Sequence, residues 1–311
     1  MLRYILKRIL LMIPAVLATS FLIYFAMNLA GGDPAKQLAP ENASEAQIEQ
    51  IREELGLNDP IFVRYGKYML GMLRGDLGTS YVTKRDVFKT YIDLLPNTVM
   101  LAVTAVLIAT LVAVPLGIYT AIHQNTWKDT GGMICALFGV SMPNFWLGLM
   151  LIIIFSLNLK IFPSGGKVGP ESLVLPAITV GLGFAALITR TTRSAMLDVI
   201  RQDYMTTARA KGASKKNVIF QHGLRNALIP IITVIGMQLS NALTGSVLAE
   251  TVFSWPGIGR LIVDSISKRD TPMVTGAIIM SCVLMCSVNL VVDLVYAFFD
   301  PRIKAQYTRK G

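Results

Sequence analysis

The chain has 311 residues, 53% of them apolar and only 15% charged, with a net charge of +10. A soluble domain carries about 25% charged residues, and the apolar residues here gather into long blocks rather than spreading over cores. Disorder, a coiled coil, a secreted disulfide scaffold and a soluble enzyme are thereby excluded.

The blocks free of Asp, Glu, Lys and Arg are residues 9–32, 98–124, 130–159, 172–189, 226–249 and 271–292. Each reaches the roughly 18 residues that a helix needs to cross a hydrocarbon layer. They are too long and too continuously apolar for barrel strands of about 10 residues. The expected fold is an all-α polytopic membrane protein with six transmembrane helices. The basic start, Arg3, Lys7 and Arg8, resembles a signal peptide, but the first run outlasts an h-region of about 7–15 residues and reads as a retained helix.

Residues 33–97 read as a small helical extracytoplasmic subdomain. Ser44 and Gln47 have capping-box spacing, Ile48, Ile51 and Leu55 follow on one helical face, and Gly56 stands where a helix-ending glycine belongs. Pro60 precedes a second amphipathic stretch with Phe62, Tyr65, Tyr68, Met69 and Met72, and Gly71, Gly75 and Gly78 interrupt what comes next. The remaining divisions are 1–32 (tail and helix 1), 98–299 (the transmembrane core, helices 2–6) and a 300–311 tail.

Pro115 reads as a kink inside the second run. Asn158–Glu171 reads as a short outer connector, and Arg190–Arg225 as the one substantial cytoplasmic loop. In that loop Asp203 can cap a helix from Tyr204 to Lys211, Gly212 can end it, and Ser214 can cap a second helix. Thr206, Thr207, Ala208 and Ala210 permit close approach of a partner, and Arg209 and Lys211 offer charge. A basic helix lying on headgroups fits the same pattern. Gly236, Ser240 and Gly245 suit either close helix packing or pore lining. Glu250–Asp270 is an outer loop.

Sidedness follows from the basic residues. With the N-terminus inside, the inside pieces hold sixteen Lys and Arg and the two short outside loops hold five, which places both termini in the cytoplasm. The net positive charge is then a collar beside anionic lipid headgroups, with no nucleic-acid partner implied.

Chemistry-bearing patterns are few. The chain has no phosphate-binding G-x-x-x-x-G-K-[ST], H-E-x-x-H, C-x-x-C or G-x-S-x-G. His123 and His222 stand far apart, and Cys135, Cys282 and Cys286 lie in apolar runs without further ligands, so no catalytic or metal site is expected. The uncharged runs leave no carboxylate for an ion or proton route. Asp293, just past the last of them, fits a structural partner or, alternatively, a proton relay. An ion-coupled carrier acting alone is the competing reading, and it would need paired acids inside the runs.

The sequence Asp203-Tyr-Met-Thr-Thr-Ala-Arg-Ala-Lys-Gly-Ala-Ser214, followed by His222-Gly-Leu-Arg-Asn-Ala-Leu-Ile-Pro230, closely resembles the loop signature of ABC-importer permeases of the dipeptide/oligopeptide type. Glutathione and nickel permeases belong to the same group. Thr206 and Thr207 depart from the general Glu-Ala pattern in the way the peptide subgroup commonly does. Gly32-Asp-Pro34, Gly75-Asp-Leu-Gly78, Glu250-Thr-Val-Phe-Ser-Trp-Pro-Gly-Ile-Gly-Arg260 and Asp300-Pro-Arg302 extend the likeness along nearly the whole chain.

That resemblance implies the first permease of a bacterial inner-membrane importer, without enzymatic activity or a bound cofactor of its own. The implied partners are a second homologous permease, two cytoplasmic ATPases that hold ATP and Mg, an extracytoplasmic solute-binding protein, and membrane lipid. It further implies that Tyr204, Thr206, Thr207, Ala208, Arg209, Ala210, Lys211, Gly212, Ala213 and Ser214 form a coupling helix seated on an ATPase. Glu250, Phe253, Trp255, Pro256 and Gly257 would serve the binding protein or outer gate.

Overall fold

The computed structural model describes residues 2–29, 33–40 and 42–299. Gly32, the motif Asp300-Pro-Arg302 with the rest of the tail, the Asp293 side chain and the surroundings of Gly245 lie outside the described residues. The chain divides into two compact units, one formed by Leu2–Thr98 with Pro256–Ser287, the other centred on Val99–Trp255 and resumed at Val288.

The elements are helices throughout. In order they are α1 (Leu2–Leu29), α2 (Pro34–Leu38), α3 (Glu45–Glu54), α4 (Ile61–Leu73), α5 (Val87–Ile122), α6 (Trp127–Ser141) and α7 (Asn144–Leu151). Then come α8 (Val174–Ile200), α9 (Asp203–Ala210), α10 (Lys215–Asn217), α11 (Arg225–Gly245), α12 (Val247–Val252), α13 (Ile258–Ser267) and α14 (Thr271–Phe299). Wider π-helical turns, Ile152–Asn158 and Val218–Leu224, extend α7 and precede α11.

Among the described residues five helices are long and apolar enough to cross a membrane. The third apolar run departs from expectation. Instead of one rod it forms α6 and α7, set 95° apart. The cause is local. Pro143 has no N–H to donate and disfavours helical geometry at the residue before it, and Met142 is accordingly extended at φ −91°, ψ 129°. At Pro115, by contrast, α5 runs on without interruption.

In the first unit, α3 carries the expected capping box: Ser44 Oγ accepts from the Gln47 N–H and Gln47 Oε1 accepts from the Ser44 N–H at 2.8 Å. Gly56, at φ +62°, closes α3 with paired bonds from the Gly56 N–H to the Glu53 carbonyl and from the Leu57 N–H to the Arg52 carbonyl. Arg52 bridges Asp33 and Glu49, and hydrogen bonding from its guanidinium is the main cause holding the Asp33 carboxyl below its usual range. Asp270 fastens the turn after α4 by accepting from Ser80 Oγ and from the Tyr81 N–H.

The second unit packs α5, α8 and α11 through two apolar layers. One contains Ile118, Ala195, Met196, Ala227 and Ile231, the other Ala109, Ala113, Ala185, Ile188 and Val234. Small residues let the backbones approach. At Gly181 an added Cβ would stand 2.7 Å from the Ala105 carbonyl oxygen, so only glycine lets α5 and α8 touch there. Gly236 faces Val292 in the same manner, with 2.7 Å to its side chain.

Candidate functional site

The loop between α8 and α11 holds the most distinctive local construction. Its helix, α9, begins at Asp203 with Gln202 as the cap residue, one position earlier than the sequence suggests. Asp203 therefore sits in the first turn, where its charge favours the helix dipole. The end matches expectation. Gly212 adopts φ +81°; its N–H bonds the Arg209 carbonyl at 3.0 Å and the Ala213 N–H bonds the Ala208 carbonyl at 3.2 Å. Ser214 then caps α10 by accepting from the Asn217 N–H at 3.3 Å.

Closed at its C-terminal end and followed at once by a second capped helix, α9 is a two-turn unit with two distinct faces. Met205 and Ala208, one turn apart, are buried against Val199, Ile200, Ala213 and Val218. Gly223 makes room for them, since a Cβ there would lie 3.3 Å from Met196 and 3.5 Å from Met205. On the other face Tyr204, Thr206, Thr207, Arg209, Ala210, Lys211, Gly212 and Ser214 are exposed. Of the ten residues singled out here, then, Ala208 points inward and Ala213 is half-buried against its own chain.

The helix that leads into α9, α8, is fixed by a contact that sequence reading missed. Arg193 on α8 donates from Nε to Asp129 Oδ1 at 2.7 Å and from Nη2 to Asp129 Oδ2 at 2.6 Å. The carboxylate also accepts from the Asn125 N–H at 3.1 Å, so it is nearly enclosed and well supplied with donors. A planar guanidinium fork on a carboxylate fixes both distance and angle. It clamps the start of α6 to the lower part of α8, from which α9 continues after two residues.

The aromatic turn after α12 lies inside the chain rather than on its surface. Glu250, Phe253 and Trp255 are 0%, 1% and 0% exposed. Trp255 packs with Leu101, Ala105, Ala177, Val180 and Ala249, and Glu250 Oε1 accepts from Ser246 Oγ at 3.0 Å. Ser254, at φ +50°, closes α12 with its N–H on Thr251, while the Trp255 N–H bonds the Glu250 carbonyl. In the other unit, Pro256 is half-buried and its carbonyl accepts from Asn97 Nδ2 at 2.8 Å. Gly257, buried, is followed by an Ile258 N–H that donates to Thr98 Oγ1 at 2.8 Å. Thr98 thus fills the capping role for α13 from 160 residues away, a pairing that no local signal announces.

A family described as "Binding-protein-dependent transport system inner membrane component" matches residues 113–305. Its companion, "Binding-prot-dependent transport system membrane comp, N-term", matches residues 1–102. The "Glutathione transport system permease protein GsiC" of Salmonella paratyphi A is 40% identical over 304 residues, covering 98% of this chain and 99% of that protein. The "Dipeptide transport system permease protein DppB" of Alkalihalophilus pseudofirmus is 40% identical over 332 residues, with 98% and 100% covered. The "Oligopeptide transport system permease protein AppB" of Bacillus subtilis is 40% identical over 312 residues, with 97% and 99% covered. Among solved structures, the MetNI methionine ABC transporter in an inward-facing conformation aligns with a TM-score of 0.58 at 15% identity. That alignment covers 66% of this chain and 94% of the other, and at this identity it is the fold that is shared. The chain belongs to the family of binding-protein-dependent transport system inner membrane components.

Proposed function

We propose that the chain forms one half of the translocation path of an ATP-driven importer for dipeptides, oligopeptides or a related small solute such as glutathione. The carrying observation is α9, a two-turn helix closed at its C-terminal end by Gly212, with one face locked to its own chain and the other exposed, polar and basic. A second homologous permease completes the path. Two cytoplasmic ATPases hold ATP and Mg, and Tyr204–Ser214 docks on one of them. When nucleotide binds the closed ATPase pair better than the open pair, a rigid helix seated on an ATPase passes that preference to α8 and α11. The Asp129–Arg193 fork extends it to α6. An extracytoplasmic binding protein delivers the solute, and the named solutes of the relatives support the peptide class.

In this reading α6 and α7 together make one broken span, giving six. Both termini are cytoplasmic, residues 33–97 form the extracytoplasmic subdomain, and the membrane is the bacterial inner membrane. The turn from Glu250 to Gly257 serves the entrance by holding its shape, because its largest side chains are enclosed.

Reconstitution tests the proposal against an ion-coupled carrier. Proteoliposomes holding the chain with its co-purified partners take up radiolabelled dipeptide only with ATP inside the ATPase-facing compartment. Uptake by the chain alone, driven by an imposed proton gradient, would instead establish the carrier reading.

A further inference from the structure

Most of the circumference of α11 is covered within its own unit. Ala227, Ile231 and Val234 pack in the layers shared with α5 and α8, and Ala242 and Leu243 pack on Ala102 and Val106 of α5. Gly236 faces Val292 of α14. One stripe is left. Along it Pro230, Met237 and Asn241 are exposed, with Thr233 and Thr244 half-buried. The two threonine hydroxyls are satisfied by their own helix, donating to the Ile229 and Ser240 carbonyls. The Asn241 amide is only partly satisfied. Its Nδ2 donates to Gln238 Oε1 at 3.0 Å, which leaves the second N–H and Oδ1 open.

Asn241 stands inside the charge-free run 226–249, eight residues before its end. Among the described residues the other exposed carboxamides of the charge-free runs are Asn158 and Asn226, and both stand at run ends. An amide facing hydrocarbon loses its hydration without replacement. Polar side chains at membrane depth therefore turn to a bundle interior or a water-filled path. The exposed side of α5 over the same depth, by contrast, is Val103, Leu107 and Leu111, which suits lipid. We propose that the Met237–Asn241 stripe lines the solute passage and that the Asn241 amide hydrogen-bonds the peptide backbone of the solute. Oδ1 accepts from a peptide N–H, and Nδ2 donates to a peptide carbonyl. Gln238, 6% exposed, is the positioning residue that holds the amide in that orientation.

The composition of the stripe favours a passage over a seam with another helix. Seams between membrane helices select small residues that let backbones approach. On α11 those residues, Ala227, Gly236 and Ala242, already face their own unit. The stripe instead presents Met237, 53% exposed. Its unbranched thioether adapts to differing shapes, as surfaces that accept many ligands require. Peptides share a backbone and differ in their side chains. A held amide reads what they share, and a pliable methionine accommodates what varies. This assignment deepens the importer reading above and rests on it.

The assembled complex in proteoliposomes tests it, with whichever of dialanine, pentaalanine and glutathione the wild type takes up best. At saturating binding protein, Asn241→Leu lowers uptake of that peptide about tenfold, the scale of one lost hydrogen bond. Uptake of the ester isostere, which lacks the peptide N–H, stays within about twofold of wild type and shows that the variant is folded and coupled. During turnover Asn241→Cys reacts with a charged, membrane-impermeant methanethiosulfonate above the level of the unchanged chain, and saturating peptide slows the reaction. Leu107→Cys does not react. Normal peptide uptake in Asn241→Leu, or equal losses for peptide and ester, would overturn the backbone contact. No reaction at Asn241→Cys, with an oxidative cross-link to the second permease in its place, would make the stripe a seam. Failure of the importer reading shows instead in the wild type, as absence of ATP-driven uptake of all three peptides.

Discussion

Gly212→Asp leaves the chain inserted in the membrane and the complex assembled, yet solute uptake falls by tenfold or more. The backbone at this position has φ +81°, and an added Cβ would meet no heavy atom within 4 Å, so no clash accompanies the change. Asp is among the residues that tolerate the left-handed region best, and the folding penalty is therefore about 1–2 kcal/mol. The functional penalty is larger. The new carboxylate stands at the tip of α9 beside exposed Arg209 and Lys211, on the face assigned to the ATPase. Couplings between sites are worth about 1–3 kcal/mol, or roughly 5- to 150-fold, so loss of that contact suffices to uncouple. ATP hydrolysis by the complex continues but no longer responds to loaded binding protein. Gly212→Asn, equally tolerant of the backbone and uncharged, retains most of the uptake. Normal uptake in Gly212→Asp would remove α9 from the coupling path.

Asp129→Ala lowers stability by about 3 kcal/mol, read as a drop in thermal midpoint of the purified chain in detergent. The carboxylate is nearly enclosed while its arginine is one-quarter exposed. Removing either partner strands the other at a protein interface, which costs about 3–5 kcal/mol when burial is complete, and partial exposure of Arg193 trims the figure. Arg193→Ala costs a comparable amount. The double variant costs well under the sum, because no uncompensated charge remains. Additive losses, or single losses below about 0.5 kcal/mol, would mean that the fork does not hold α6 to α8. Uptake in the double variant also separates stability from transmission, since it removes the clamp without leaving a stranded charge.

What could be read from the sequence follows the range of the forces involved. The capping box at Ser44 and Gln47, the left-handed closures at Gly56 and Gly212, and the cap at Ser214 are all set by hydrogen bonds spanning a few residues. So is the exposed face of α9, whose two buried residues repeat at helical spacing. The break in the third apolar run was legible too, in Pro143, but a charge-free count alone treats the run as continuous. Contacts across long stretches were not legible. Nothing near Asp129 indicates Arg193, 64 residues on, and nothing near Ile258 indicates that Thr98 supplies its cap. The turn around Trp255 read as an outer loop because Glu250, Arg260, Asp264, Lys268, Arg269 and Asp270 separate the apolar runs on either side. Only the packing of Leu101, Ala105 and Ala177 around the indole shows it to be interior.

The central claim is that this chain is one permease half, driven by ATPases through α9. Mild-detergent purification of the tagged chain, with quantitative identification of what accompanies it, tests this most directly. The account predicts one second permease and two ATPase copies per chain, and a disulfide cross-link from Thr207→Cys to an ATPase cleft cysteine. Recovery of the chain alone or as a homodimer, with solute uptake intact in liposomes lacking ATP, would contradict it.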